Sequence, residues 1–386
     1  MLRIDWYINE LRYKINDADS LDVILTPEQI EGHNREYLRF RQQGNKDAFY
    51  DLYDVMKNIV GKPNLDPDTK RDVGSGYYPV YRFQVPVDTA LVRKNGTVNA
   101  NDQVLPVMQF ELPETKRNGG LFRNELAILS IIASNGWKRP IYFTSPYGEL
   151  GFYQYLRKDG MSYRLVPVNN KFPQANWVVD QSMRQNGLGG TQIRDNNSDF
   201  MYNNMINKFA FGGADKKGTY FDEENRRHLL NLRALFGEAA GNMADEGRKQ
   251  EAQKLIDKCE AGLHPENFPY AMAARYNSHN QTAIIYLEGC YKAGKLDVAE
   301  KVRQAVRKDL EDQKRYLDYM KTNRPDIYSG FENLEAPINE RMLVVLDAIE
   351  KKYAPGVQPK TNAETGGTII NSLNPDTTKK DTTKRP

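Results

Sequence analysis

Two shortages stand out in this 386-residue sequence: it has two cysteines and four histidines. Cys259 and Cys290 have neither Cys-x-x-Cys spacing nor a nearby histidine. Each falls at a helical position where small residues pack, so each reads as a buried free thiol acting as a small hydrophobe. A pairing between them stays open if their helices are neighbours, so cysteine usage does not define the compartment. His33, His228, His264 and His279 are scattered, with no two at ligand spacing, which argues against a zinc site. An excess of one charge is also missing: 54 basic and 51 acidic residues leave +3. Without clustered Lys and Arg there is no footprint for nucleic acid. No apolar run approaches the roughly 18 residues of a membrane span. The start, Met1-Leu2-Arg3-Ile4-Asp5-Trp6, has no hydrophobic stretch behind its basic residue, so it is not a secretory signal and the chain as given reads as soluble. A Gly-x-Ser-x-Gly elbow is absent. Gly187-Leu188-Gly189-Gly190 and Gly74-Ser75-Gly76 match neither dinucleotide nor phosphate-loop spacing. No cofactor is called for.

What the sequence does have is aromatic mass, with 23 Tyr and 15 Phe, and a length sufficient for two domains of roughly 100–200 residues. Trp6, Tyr7, Ile8 and Leu11 give one apolar face to a helix from about Asp5 to Tyr13. Val23-Ile24-Leu25 is a short strand, and Thr26-Pro27-Glu28-Gln29 reads as a capping box with Pro at the first helical position. An amphipathic helix is expected over Lys46 to Val60. Tyr81-Arg82-Phe83-Gln84-Val85 alternates as a half-buried strand does, and Asn95-Gly96 signals a turn. Asn124 to Asn135 is too apolar for a solvated helix and stops at Gly136. A buried strand Pro140–Thr144, a helix Leu150–Lys158 and a strand Tyr163–Val168 follow, which is α/β grammar.

Residues 169–221 are rich in Asn, Gly and aromatics and read as connection, with one helix near Met201 to Lys208. From Asp222 the chain turns helical, with Asp222-Glu223-Glu224 set against the dipole of the helix start. Gly247-Arg248-Lys249-Gln250-Glu251-Ala252 has the Gly-x-x-x-x-Ala spacing of a tetratricopeptide (TPR) hairpin turn. Gly294 through Ala299 repeats it 47 residues later, against about 34 in tandem TPR arrays. These are therefore two hairpins with an insertion, and Ala252 and Ala299 take their close-packed positions. A last helix, about Asn333 to Tyr353, carries Pro337 in its first turn. From Ala354 onward Pro, Thr, Asn, Lys and Gly prevail, the composition of a disordered tail.

Polar clusters offer little chemistry. Asp66-Pro67-Asp68 reads as turn chemistry before it reads as a metal pair. Asp195-Asn196-Asn197-Ser198-Asp199 lacks the Gly and distal Glu of an EF-hand. Arg226-Arg227 with Glu223-Glu224 suits an anionic group, or equally a solvated helix face. Trp137 with Arg139 suits stacking on a sugar or a peptide carbonyl. The alternative is that Trp137 covers the end of the preceding helix while Arg139 meets a carboxylate.

Asn124-Glu125-Leu126 through Asn135-Gly136-Trp137-Lys138-Arg139-Pro140-Ile141-Tyr142-Phe143-Thr144 resembles a family of bacterial membrane proteins. They are described as protein O-mannosyltransferase-like, glycosyltransferase family 117 (domain of unknown function 2723). The resemblance extends through Asp5-Trp6-Tyr7-Ile8, Leu11-Arg12, Thr26-Pro27-Glu28-Gln29, Val85-Pro86-Val87-Asp88, Lys94-Asn95-Gly96-Thr97 and Tyr163-Arg164-Leu165-Val166-Pro167. It continues in Tyr220-Phe221-Asp222-Glu223-Glu224-Asn225-Arg226-Arg227 and Arg275-Tyr276-Asn277-Ser278-His279-Asn280, and covers about Asp5 to Tyr353. It implies a multi-helix membrane domain ahead of a soluble, extracytoplasmic (periplasmic) part. The catalytic acid and the polyprenyl-phosphate sugar site are then expected in the portion preceding this sequence, so no catalytic residue is carried over.

The expected fold is a mixed α/β domain, incomplete at its start, over residues 1–168. A loop-rich connection (169–221), an all-α TPR-like helical-hairpin domain (222–353) and a disordered tail (354–386) follow. The expected role is docking of a protein or glycan acceptor for a membrane glycosyltransferase-like protein, with the membrane reached only through the absent N-terminal domain. The alternative is a self-standing TPR-type peptide-binding scaffold. A hydrolase is disfavoured, because no nucleophile–base signature appears. Contacts to a ligand or partner are expected from Trp137, Arg139, Tyr142, Arg226, Arg227, His279 and Asn280.

Overall fold

The computed structural model describes residues 37–41, 43–60, 68–69, 77–145, 147–168, 177–188, 197–328, 330 and 332–355. The helix expected at Asp5–Tyr13, the strand at Val23–Leu25, the capping box at Thr26–Gln29, the loop at Gly74–Gly76 and the tail beyond residue 355 lie outside them, as do Asp66, Pro67, Asp195 and Asn196.

Within the described residues, an α/β region is followed by a helical one. The strands are β1 (Tyr37–Phe40), β2 (Tyr50–Asp51), β3 (Tyr77–Tyr78), β4 (Arg82–Pro86), β5 (Val107–Glu111), β6 (Leu121–Phe122), β7 (Tyr142–Phe143), β8 (Leu156–Asp159) and β9 (Ser162–Leu165). They form three small sheets in the orders β3-β1-β6, β2-β4-β5 and β7-β9-β8. In β4 the expected alternation holds, since Phe83 and Val85 are buried between half-exposed neighbours. Phe83 sits opposite Phe110 on antiparallel β5, with ring centroids 5.7 Å apart, and Phe110 meets the edge of Phe152 at 5.6 Å. These rings anchor a core that runs from Leu52 to Val168.

Three local expectations are corrected here. The helix expected from Lys46 begins only at Leu52, as α1 (Leu52–Val55), and continues as a π-turn over Met56–Val60. Tyr50 and Asp51 are instead drawn into parallel pairing with Phe83 and Gln84. Leu150–Lys158 is not helical. A 3-10 turn at Tyr153–Tyr155 leads into β8, which pairs with β9 around Gly160-Met161. Gly160 supplies the positive φ (70°) that a two-residue hairpin asks of its first turn residue. The strand at Tyr142–Phe143 is short and not buried, because it lies at a sheet edge and pairs only with β9. The remaining helices of this region are α2 (Thr89–Lys94), α3 (Glu114–Gly119) and α4 (Arg123–Asn135). In α4 the Glu125 carboxylate accepts the Phe122 N–H at 2.8 Å, and Gly136 ends the helix at φ 53°.

The helical region comprises α5 (Val178–Gln185), α6 (Ser198–Asn207), α7 (Glu223–Asp245), α8 (Lys249–Gly262), α9 (Ser278–Ala293), α10 (Leu296–Asn323), α11 (Pro325–Tyr328) and α12 (Glu332–Tyr353). Gly247 (φ 81°) and Gly294 (φ 76°) turn α7 into α8 and α9 into α10, so both expected hairpins form. Ala252 and Ala299 are wholly buried. Pro337 falls in the second turn of α12 and not the first, since the helix starts at Glu332, one residue before the expected Asn333.

The first helices of the two hairpins, α7 and α9, run parallel in direct backbone contact. A Cβ on Gly289 would fall 2.2 Å from the Gly237 carbonyl oxygen, and one on Gly237 would fall 2.6 Å from the Cα of Tyr286. Helix α5 was not anticipated from sequence, because Glu288 on α9 supplies its cap. That buried carboxylate accepts the N–H groups of Val178 at 2.7 Å and Val179 at 2.8 Å, and the Tyr353 hydroxyl at 3.0 Å. Cys259 and Cys290 are buried free thiols, as expected. Burial pushes the Cys259 thiol up to about 12, which makes it inert at neutral pH.

Helix α6 links the two regions. The Asn197 N–H donates to Lys158 O at 3.1 Å, its amide donates to Asn99 Oδ1 at 3.0 Å, and Lys158 pairs with Glu238.

Gly289→Ala should destabilise the chain by about 1–3 kcal/mol or more, because backbone rather than a flexible side chain blocks the added methyl. Gly119→Ala, whose Cβ would meet nothing within 4 Å, should be neutral or slightly stabilising. Ala252→Leu and Ala299→Leu should behave like the first, and Lys249→Leu, at an exposed position, like the second. Urea unfolding of the full chain decides it: equal shifts for Gly289→Ala and Gly119→Ala would refute the close crossing.

Candidate functional site

A concavity lies among the described residues where α7 and α9 begin. It encloses about 750 Å³ and is lined on one side by residues from Tyr220 to Asn231 and on the other by residues from Met272 to Thr282. Asp222 fixes the start of the first wall, its carboxylate accepting the Asn225 N–H at 2.8 Å. Phe221 is packed on Phe268, ring centroids 5.0 Å apart, so the backbone entering α7 is held from below. Arg226, Arg227 and Arg275 line the cleft, against the single carboxylate Glu223 among its described lining residues.

The arginines differ in how far their charge is already met. Arg227 pairs with Glu224 at 2.5 Å, and His228 reaches the same carboxylate at 3.2 Å. Arg275 stacks on the Tyr276 ring and donates to its hydroxyl at 3.2 Å. Arg226 makes only a long bond, 3.4 Å, to the Phe221 carbonyl, and its buried Nε has no partner among the described residues.

His279 is 3% exposed and lines the cleft. Its Nε2 lies 3.0 Å from the Pro269 carbonyl oxygen. That oxygen only accepts, so the proton of the neutral ring sits on Nε2 and Nδ1 carries a lone pair. Nδ1 is buried with no partner among the described residues. Desolvation by burial holds the ring below the usual histidine range, with the nearby Arg233 charge adding to it. Arg233 clamps the same segment, donating to Pro269 O at 2.9 Å and Phe268 O at 2.7 Å while stacking on Tyr270.

Behind the cleft, the turn into α9 is strained. Tyr276 and Asn277 both have positive φ, 55° and 52°, an unfavourable conformation for non-glycine residues, Asn being the more tolerant. A buried polar network enforces it. Asn277 Oδ1 accepts from Asn280 at 2.9 Å and from Gln313 at 3.1 Å, both of which also donate to Asp309, at 2.7 and 2.6 Å. The Tyr276 N–H is held by Glu335 at 2.7 Å, and Asn339 joins Asn277 to Leu310 O.

The structure thus brings Arg226, Arg227 and His279 together at one cleft. Asn280 lies behind it, fully buried in the supporting network. Trp137, Arg139 and Tyr142 are elsewhere, in the α/β region. Trp137 is buried with φ 59°, its indole N–H donating to Pro86 O at 2.7 Å and its carbonyl accepting from Asn95 at 2.7 Å, so it packs the end of α4. The Arg139 carbonyl accepts from Asn135 at 2.7 Å. Tyr142 is 45% exposed beneath the Arg164 guanidinium, which lies 5.3 Å from the ring centroid and pairs with buried Asp159. Arg164 also donates to Gly96 O and Thr97 O. The motifs Val85–Asp88, Lys94–Thr97, Asn135–Trp137 and Tyr163–Pro167 therefore meet in one structural node.

Sequence reasoning left Tyr220, Asn231, Met272 and Arg275 out of the candidate site. Tyr220 and Arg275 carried a signal, the first in the motif that holds Arg226 and Arg227 and the second in the motif that holds His279. The supporting residues Asp309, Gln313, Glu335 and Asn339 gave none, since they approach Asn277 only through the hairpin stack.

Among the described residues no helix is long and apolar enough to cross a membrane, and no group of three or more His, Cys, Asp or Glu side chains is arranged to hold a metal. A family model described as TMEM260-associated domain 2 matches residues 1–184. That match names a membrane protein family and ends before the cleft. No curated protein and no solved structure matches the chain.

The depressed His279 pKa has a pH signature. An unfolded chain takes up this proton near pH 6.5, whereas the folded chain resists it. The stability that His279 contributes is complete above pH 6.5 and is lost as pH falls through the folded value. The melting-temperature gap between wild type and His279→Gln, whose amide retains the donor to Pro269, should narrow from about pH 8 to about pH 5. A gap independent of pH would show that the ring titrates normally.

Proposed function

We propose that this chain is the extracytoplasmic, non-catalytic part of a membrane protein O-mannosyltransferase-like glycosyltransferase, and that it holds the acceptor or a partner for the membrane-embedded part. The division suggested by the sequence goes with this reading: an α/β unit (1–168) adjoining the membrane part, a connection (169–221), and a helical unit (222–353) that carries the docking surface. Support comes from two directions. The family-model match over residues 1–184 names a membrane protein family, which agrees with the motif resemblance.

The observation that carries the docking role is the cleft itself. Arg226 Nε and His279 Nδ1 are buried there without partners among the described residues. Buried polar atoms left unpaired cost about 1–3 kcal/mol each; both are closed to solvent as the side chains stand, so a ligand recovers that cost by shifting them toward it. The chain folds its second wall around two strained residues to make this cleft, and strain of that kind gathers at binding sites.

The purified chain should transfer no sugar from a polyprenyl-phosphate-linked donor to any acceptor, as followed by radiolabel incorporation. In the membrane-bound form, a photo-crosslinker in place of Thr282 should capture a defined acceptor, and Arg226→Ala should reduce that capture. Sugar transfer by the isolated chain, abolished by a substitution within it, would overturn the non-catalytic assignment. Capture unaffected by Arg226→Ala would overturn the docking role of the cleft.

A further inference from the structure

The geometry points to an anionic saccharide, one bearing a carboxylate or phosphate, as the ligand of the cleft between the starts of α7 and α9. This rests on the docking reading above and gives it a chemical class.

Four features select the class. The first is charge: three arginines and one carboxylate line the cleft, and Arg226 has no carboxylate partner among the described residues. A guanidinium in that state is a ready donor to an oxyanion. The second is the deep acceptor. His279 lines the cleft, and its Nδ1, closed to solvent, has no donor among the described residues. An oxyanion cannot satisfy it, so the ligand must also carry an O–H or N–H. Inorganic phosphate still carries a P–OH at neutral pH and meets this requirement with one donor, whereas a hydroxylated ring meets it with several and adds a ring face.

The third feature is Tyr220, which stands 85% exposed at the rim. It offers a flat apolar face beside the donors, suited to the C–H face of a sugar ring. The fourth is size. The volume of about 750 Å³ falls in the usual range for small-molecule sites, about 300–1,000 Å³. The α7 wall from Glu223 to Asn231 is about 12 Å long at 1.5 Å per residue. An extended peptide spends about 3.3 Å per residue, so this wall would read only some three or four residues of it. The site is short and mixed in polarity, which favours a compact polyhydroxylated ligand over a long acidic segment.

Isothermal titration of the full chain tests the assignment with five probes: glucuronate, glucose 6-phosphate, glucose, inorganic phosphate and an acidic tetrapeptide. Glucuronate or glucose 6-phosphate should bind at least about tenfold more tightly than glucose and inorganic phosphate. Arg226→Ala should cost the anionic sugar about tenfold, the loss expected of one charge-assisted hydrogen bond. Tyr220→Ala should weaken it as well, and at an exposed position it should leave the melting temperature unchanged, so lost binding cannot be put down to misfolding.

Inorganic phosphate binding as tightly as glucose 6-phosphate would overturn the saccharide and leave only an anion site. Binding of the peptide without binding of either charged sugar would overturn the inference while sparing the docking reading. No binding by any probe, with acceptor capture still sensitive to Arg226→Ala, would do the same. Insensitivity of that capture would remove both.

Discussion

The helical region depends on one contact, the meeting of the α7 and α9 backbones at Gly237 and Gly289. Ordinary side chains keep helix axes about 8–10 Å apart, and here a single methyl would collide with a carbonyl. Because the two helices touch, Glu288 reaches past the crossing to cap α5, and Tyr286 is wholly buried. Helices α8, α10 and α12 then close around a pair whose spacing is already set.

Two polar devices fix the cleft. One is the clamp on residues 268–270, gripped by Arg233 and His279 through carbonyl oxygens. The other is the amide and carboxylate network around Asn277, which holds two residues in the left-handed region. Many bonds hold the cleft wall, yet Asn280 Oδ1 and Arg233 Nε inside these two devices are buried without a partner among the described residues, as are Arg226 Nε and His279 Nδ1 at the cleft.

Much of this fold was legible in the sequence wherever a local signal governed the outcome. The Gly-x-x-x-x-Ala repeats announced both hairpins, Gly136 the end of α4, and the Phe83/Val85 alternation β4. Legibility failed where a distant partner decided. Tyr50-Asp51 became a strand because Phe83-Gln84 lay alongside. Leu156–Asp159 became a strand because Gly160-Met161 folded it back on Ser162–Leu165. Helix α5 is capped by a carboxylate more than 100 residues away. The candidate contacts divide in the same way. Arg226, Arg227 and His279 share a cleft, whereas Trp137, Arg139 and Tyr142 belong to the node where the motifs of the α/β region meet. Unusual short motifs mark both kinds of place, and only packing tells them apart.

The parallel course of α7 and α9 has an electrostatic consequence. Antiparallel neighbours largely cancel their macrodipoles, but two parallel helices add theirs, and both positive ends face the cleft. At α7 the field is opposed by Asp222, Glu223 and Glu224. The first turn of α9 has no acidic residue and no side-chain cap. Each uncompensated helix start is equivalent to about half a positive elementary charge. At α9 the Glu335 and Asp309 carboxylates, bound to the Tyr276 N–H and to Asn280, offset part of that field from neighbouring helices, and attraction of anions to this end weakens as salt shortens the Debye length.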